Sequence, residues 1–241
     1  GGMLRVGIPE YRLSAEVIEA EIDEIRNVGV EIKTNTKIES LDKLFEEGYD
    51  ATLVAVGAHQ GIKLPIPGSD LEGVMVNTDL LRNVRLGKEV KIGEKVVVLG
   101  GGNVSYDCAR TALRLGAKEV RVACLEPERG MLASPEEIEE GEAEGIIVHC
   151  SHTFIRIMDD GKGRVAGLEC HDVSSFGFDS TGRLKVDIVA DSEHVLPADT
   201  VIFAVGQVPE LGLIEGVDEI EKVRGRFIAA DTETLATGKQ G

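Results

Sequence analysis

The stretch VVVLGGGNVSYDCAR, Val96 to Arg110, constrains the fold more than any other part of the chain. A short continuous apolar run, of the kind found in a strand covered on both faces, meets three glycines and then a helical pattern. The loop reads Gly100-x-Gly102-x-x-Ser105. Such a turn must bend sharply and let its backbone come close to a pyrophosphate, which glycine permits. The first N–H groups of the following helix, together with its dipole, then face the phosphates. The third position needs a small residue so that helix and strand can touch. Ser105 is small enough, although it departs from the usual glycine or alanine. Val104, Cys108 and Ala112 recur at helical spacing and should face the sheet.

The next strand, EVRVAC, completes a βαβ unit whose crossover should be right-handed. It ends in LEPERG, and Glu126 falls about 20 residues beyond the loop, where an acid can accept hydrogen bonds from the adenosine ribose. A carboxylate there would repel a 2′-phosphate, which favours NADH over NADPH. Two plainer alternatives stand beside these readings. The loop could be a tight strand-to-helix turn without a ligand, and Glu126 an ordinary acid in a solvated loop. Arg121 and Arg129 could still serve a phosphate.

The formal net charge of −17 makes DNA, RNA and anionic membrane surfaces poor partners. An anionic ligand must then be held by local devices such as helix N-termini. No apolar run approaches the roughly 18 residues of a membrane span, and GGMLRVGIPE shows no secretory pattern. The four cysteines, Cys108, Cys124, Cys150 and Cys170, form no C-x-x-C pair. That argues against an iron–sulfur ligand set or a redox dithiol and suits buried thiols of a cytoplasmic protein. The five histidines are scattered and none is read as a metal ligand.

Elsewhere the periodicity predicts a helix over 15–28 ended by Gly29, a strand VEIKTNT, and a short helix capped by Ser40. ATLVAVGA, residues 51–58, reads as a strand covered on both faces, and a short helix is expected near 78–85. A polar connector from Gly87 to Gly93 is the first candidate domain boundary. SPEE at 134–137 reads as a helix start, with Ser134 as cap, Pro135 in the first turn and Glu137 closing a capping box. The glutamates of 136–144 are read as a solvated helix face rather than a docking surface. A strand IIVHC, a β-meander over 153–197, a strand TVIFAVG and a last strand at RFIAA complete the chain.

In this order GGMLRVGIPEYRL, AVGAHQG, VVVLGGGNVSYDCAR, ASPEEIEE and FAVGQVPE resemble the small-subunit type of glutamate synthase. More broadly they resemble the flavoprotein reductases with two dinucleotide-binding domains, which include the pyridine nucleotide–disulfide oxidoreductases and some heterodisulfide-reductase-like subunits. The resemblance implies an α/β fold in which a Rossmann-like NAD(P) domain with a β-meander is inserted in a partial FAD domain. It divides the chain into part of the FAD domain at 1–86, the NAD(P) domain at 87–206 and a return into the FAD domain at 207–241. Family members carry an FAD fingerprint ahead of the GGML stretch and a Gly-Asp flavin segment after the point where this sequence stops. Both are missing, so a piece of a longer enzyme is expected, one that binds NAD(H) without turning over alone.

The resemblance also carries roles onto residues. Gly100, Gly101, Gly102, Asn103, Val104 and Ser105 would hold the pyrophosphate and Glu126 the ribose. Ala204, Gly206 and Gln207 would lie against the cofactor. Gly2, Met3, Leu4, Ile8 and Pro9 match a stretch near the flavin, and Gly57 lies in the loop where the FAD domain hands over to the inserted one. Members that use NADPH carry two arginines where Leu125 and Glu126 stand, and members carry proline where Ser14 stands. The implied reaction passes hydride between nicotinamide and FAD, with electrons going on to an acceptor on another domain or an iron–sulfur subunit. Such chemistry belongs to the cofactors, so no catalytic side chain is assigned. Two rival readings are an S-adenosylmethionine-dependent methyltransferase and a non-catalytic interaction module with a nucleotide-type fold.

Overall fold

The computed structural model describes residues 1–180 and 183–239. Its helices are α1 (Gly2–Val6), α2 (Ala15–Asn27), α3 (Leu41–Glu46), α4 (Asn77–Arg85), α5 (Asn103–Arg114) and α6 (Pro135–Ala143). The strands of the first part are β1 (Gln60–Gly61), β2 (Val74–Val76), β3 (Lys95–Leu99), β4 (Glu119–Ala123) and β5 (Ile147–His149). Those of the second are β6 (His152–Asp159), β7 (Val165–Phe178), β8 (Leu184–Ile188), β9 (His194–Pro197) and β10 (Thr200–Phe203). Two-residue pieces follow, β11 (Gln207–Val208), β12 (Lys222–Val223) and β13 (Phe227–Ile228).

A five-stranded parallel sheet in the order β2-β10-β3-β4-β5 forms the centre. Its middle strand β3 divides its side chains between two cores. Val96 and Val98 enter one core with α4, α5 and β4, through Leu80, Leu81, Cys108, Ala112 and Val122. Val97 and Leu99 enter a second core with Val201, Phe203, Leu168 and Leu196. This is the period-two alternation of a strand, with both faces covered. Each of these four side chains is fully buried, and burial of one contributes about 1.5–3 kcal/mol.

The second core is closed by the antiparallel piece β6–β9. It is not a simple meander. The long strand β7 pairs with β6 and β9 along its first half and with β8 along its second. Edge strand β2 belongs to the parallel sheet although it precedes Gly87, the expected boundary. A third, smaller core gathers Leu41, Ile214 and Ile220.

Three local expectations need correction. VEIKTNT and ATLVAVGA form no strand, because among the described residues no neighbouring strand supplies a ladder for them. Leu53, in the middle of the second, is 78% exposed. Ser134 and Pro135 do start α6, but the capping box is absent, since Ser134 makes no side-chain cap bond. Glu137 is buried instead and pairs with Arg12 at 2.9 Å and Arg110 at 3.4 Å. Nor are the acids of α6 all solvated. Arg110 also reaches Glu140 at 2.6 Å and Glu144 at 2.8 Å, and Arg114 holds Glu144 at 2.6 Å. Arg12 bridges to Asp107 of α5 at 2.9 Å, and the Tyr11 ring lies under both arginines, 4.7 and 4.0 Å from their guanidinium carbons. The chain ahead of α2 is thereby clamped to α5 and α6.

Candidate dinucleotide site

The turn between β3 and α5 is tight for reasons that differ glycine by glycine. Gly100 has φ +128°, and a Cβ there would stand 2.4 Å from the carbonyl oxygen of Ala204. Neither the conformation nor the space admits a side chain. At Gly101 a Cβ would meet the Glu126 carboxylate at 2.9 Å, and the Gly101 carbonyl accepts from the N–H groups of Leu132 and Ala133 at 3.1 and 2.9 Å. At Gly102 a Cβ would meet nothing within 4 Å. That open space is a cleft of about 420 Å³, in the range of small-molecule sites.

The cleft brings together Gly100, Gly101, Gly102, Asn103, Val104 and Glu126 on one side, with Ala204, Gly206 and Gln207 on the other. It lies at the carboxyl ends of β3, β4 and β10, where ligands bind in open parallel sheets. The first N–H groups of a helix have no partner within it, and those of α5 begin at the cleft floor. The Asn103 side chain is committed elsewhere, its Oδ1 accepting from the Ser134 N–H at 2.8 Å, so Asn103 offers the cleft its backbone. Ser105 lies underneath, fully buried, with its N–H donating to the Gly102 carbonyl at 2.9 Å. Its Oγ stands 3.0 Å from where a Gly100 Cβ would sit, so the smallness of this residue sets how closely α5 approaches the turn.

Glu126 projects from the loop after β4. The Ser151 N–H donates to its carbonyl at 2.9 Å, which fixes the loop against the start of β6. Arg121 lies mid-strand and pairs with Glu119. Arg129 is exposed on the turn Glu128–Gly130 that follows Glu126. Burial holds the thiols in the neutral form, pushing Cys170 up to about 12 and Cys108 well above its usual value.

The other expected residues lie apart. Gly2, Met3, Leu4, Ile8 and Pro9 belong to α1 and the turn after it, and α1 is tied to α4 by the Arg85 guanidinium donating to the Arg5 carbonyl at 2.9 Å. Pro9 borders a separate hollow of about 350 Å³ with Tyr11, Leu81 and Arg85. Gly57, at φ +71°, sits in the unpaired 51–58 segment. None of these six lines the cleft.

Five residues of the cleft were not among those expected from the sequence: Leu125 and Val205, which adjoin expected residues, and Asn77, Leu132 and Phe154, which do not. Asn77 opens α4 directly after β2 and is 1% exposed, and its Oδ1 has no hydrogen-bond partner among the described residues. A polar residue at a strand-to-helix junction on the carboxyl edge of a parallel sheet was the available signal. Phe154 comes from β6, and nothing in its local pattern announces a return to the nucleotide side.

A glycine turn opening a helix N-terminus into a cleft at the carboxyl edge of a parallel sheet, with an acid closing the next strand, defines a Rossmann-like dinucleotide-binding fold. The chain belongs to the pyridine nucleotide-disulphide oxidoreductase family, whose model matches residues 10–240. It is 37% identical over 247 residues to the NADP(+)-dependent formate dehydrogenase subunit beta of Moorella thermoacetica, covering 100% of this chain and 34% of that protein. It is 34% identical over 220 residues to the glutamate synthase (NADPH) small chain of Escherichia coli (strain K12), covering 86% of this chain and 46% of that one. The chain thus spans between a third and a half of these curated relatives. Among solved structures it superposes on FprA of Mycobacterium tuberculosis in complex with NADPH, with a TM-score of 0.69 at 20% identity, covering 94% of this chain and 66% of that one. At that identity the likeness is one of fold. No helix among the described residues is long and apolar enough to cross a membrane.

Proposed function

We propose that this chain is the NAD(P)H-binding portion of a cytoplasmic flavin-dependent oxidoreductase. The observation that carries the reading is the open cradle at Gly102, with the start of α5 below it and Glu126 beside it. The amides at the α5 N-terminus and the turn backbone hold the pyrophosphate. Glu126 accepts from the ribose hydroxyls. Ala204, Gly206 and Gln207 form the opposite wall, and Asn77 Oδ1 supplies an acceptor for a donor on the nicotinamide half. When bound, nicotinamide and FAD supply the hydride exchange, and the protein supplies orientation and a dry contact. The domain division at 1–86, 87–206 and 207–241 is kept in outline, with Val74–Val76 counted in the sheet where it pairs; Gln240 and Gly241 lie outside the described residues. The stretch Gly2–Pro9 and Gly57 are assigned to the flavin side on family grounds. A redox partner domain or iron–sulfur subunit takes the electrons onward. Support comes from the relatives, one named a formate dehydrogenase subunit and one a glutamate synthase chain.

For the nicotinamide cofactor we favour NADH, on the carboxylate of Glu126. The relatives' names carry NADP(H), and Arg129, exposed nearby, also favours the phosphorylated form. Calorimetric titration with each cofactor at matched salt separates the two. Tighter NADH binding, weakened about tenfold or more by Glu126→Ala, is expected for a hydrogen bond to a charged group worth about 1.5–3 kcal/mol. Tighter NADPH binding, lost on Arg129→Ala, would overturn the assignment of Glu126. Binding of neither would overturn the site.

A further inference from the structure

Three histidines, the neighbouring His149 and His152 and the distant His194, meet where the antiparallel piece begins. β7 runs between β6 and β9, with His152 of β6 opposite Asp172 and His194 of β9 opposite Cys170, two residues before Asp172. The His152 ring stands edge-on between those of His149 and His194, with centroids 5.3 and 4.9 Å away. One ligand-type atom from each of His152, Asp172 and His194 lies within 4.8 Å of the other two. His152 Nε2 is 3.7 Å from an Asp172 oxygen.

Both imidazoles are held from behind. His152 Nδ1 donates to the Cys150 carbonyl at 2.6 Å and His194 Nδ1 to the Ser192 carbonyl at 2.8 Å. A carbonyl can only accept, so the protons are assigned to Nδ1 and the lone pairs to Nε2. This back-bonding to main-chain carbonyls is how metal-ligating histidines fix tautomer and ring orientation. His152 Nε2, a ring nitrogen of His194 and an Asp172 oxygen thus face one another within 4.8 Å, a set of lone pairs and negative charge that favours a cation among them. Ligand atoms in a tetrahedral zinc shell stand about 3.3 Å apart. The 3.7 Å between His152 Nε2 and the Asp172 oxygen is already close to that value, and the Asp172 side chain, 54% exposed, has room to adjust.

We propose that His152, Asp172 and His194 bind one divalent transition-metal ion of the zinc class, with water completing its shell. Two imidazoles and one carboxylate suit zinc, nickel or copper better than magnesium or calcium, which take oxygen ligands. The site is separate from the dinucleotide cleft, though it backs onto the same loop: the His152 N–H donates to the Cys124 carbonyl at 2.8 Å.

The test is calorimetric titration of chelator-treated chain with zinc chloride, repeated on His152→Ala, His194→Ala and Asp172→Asn. Expected is saturation at one equivalent, weakened at least tenfold by each histidine variant, with cobalt(II) giving the visible absorption of a low-symmetry site. No saturable binding, or unchanged binding in the His152→Ala/His194→Ala double variant, would overturn the proposal. Should an alanine variant fail to fold, imidazole nitrogen NMR of the unmodified chain decides. Zinc must then shift the Nε2 signals of His152 and His194, and shifts confined to other residues overturn the site.

Discussion

At the scale of single residues, Gly100 and Gly102 look alike in the sequence and do different work. Gly100 is fixed by its φ and by the Ala204 carbonyl, so any side chain there distorts the turn. Gly102 has an ordinary φ of −98° and free space around a Cβ, and that space is the cleft itself. Gly102→Ala is therefore expected to change stability by no more than about 1 kcal/mol, the range of an exchanged helix cap. It should nevertheless weaken dinucleotide binding at least tenfold. Thermal melting and cofactor titration of the same preparation check both halves. That the loop and Glu126 would share one cleft was legible because a sharp strand-to-helix turn demands glycine and the end of the next strand of a βαβ unit lies beside that turn. The role of Asn103 was not legible, because the partner of its side chain, the Ser134 amide, lies on another element. Asn77 and Phe154 escaped for a related reason, reaching the cleft from elements whose place beside the loop only the sheet order reveals.

At the scale of elements, α6 packs against α5 at a glycine. A Cβ at Gly141 would stand 2.5 Å from the fully buried Tyr106 ring. Alanine gains about 1 kcal/mol over glycine in helix propensity, whereas overpacking a buried contact costs about 1–3 kcal/mol. The clash should outweigh the propensity. Gly141→Ala is expected to be destabilised by about 1–2 kcal/mol in denaturant unfolding, and a Tyr106→Leu background should relieve the loss. In the parallel sheet β3 and β10 were legible as short apolar runs and β4 as the alternating strand that closes a βαβ unit, whereas the three-residue β2 was not read from the sequence. VEIKTNT and ATLVAVGA misled for the converse reason. Their patterns suit strands, but a strand exists only with a neighbour, and pattern does not report neighbours. The Glu137 capping box failed through competition, since two arginines outbid a backbone amide for its carboxylate.

At the scale of the whole molecule, the arginine–glutamate network joins the chain ahead of α2 to α5 and α6. Glu144 is its outer acid, and its carboxyl is held below the usual range first by the Arg114 hydrogen bond and then by Arg110. A carboxylate with a lowered folded-state pKa adds stability that is present above the unfolded value and lost as pH falls through the folded one. Unfolding measured over roughly pH 3 to 6 should show the unmodified chain more stable than Glu144→Gln above about pH 4.3. The two curves should converge at the acid end, and parallel curves would remove Glu144 from the network.

The alternation of β3 between two cores has a practical consequence for anyone wishing to shorten this chain. A smaller nucleotide-binding unit would keep the parallel sheet and its helices and discard β6–β9 as an ornament. Val97, Leu99, Val201 and Phe203 forbid it, because the face they form is greasy and would be laid bare. The antiparallel piece is the other half of a sandwich whose filling is the sheet. A trimmed version would have to repaint that face with polar residues before it could remain in solution.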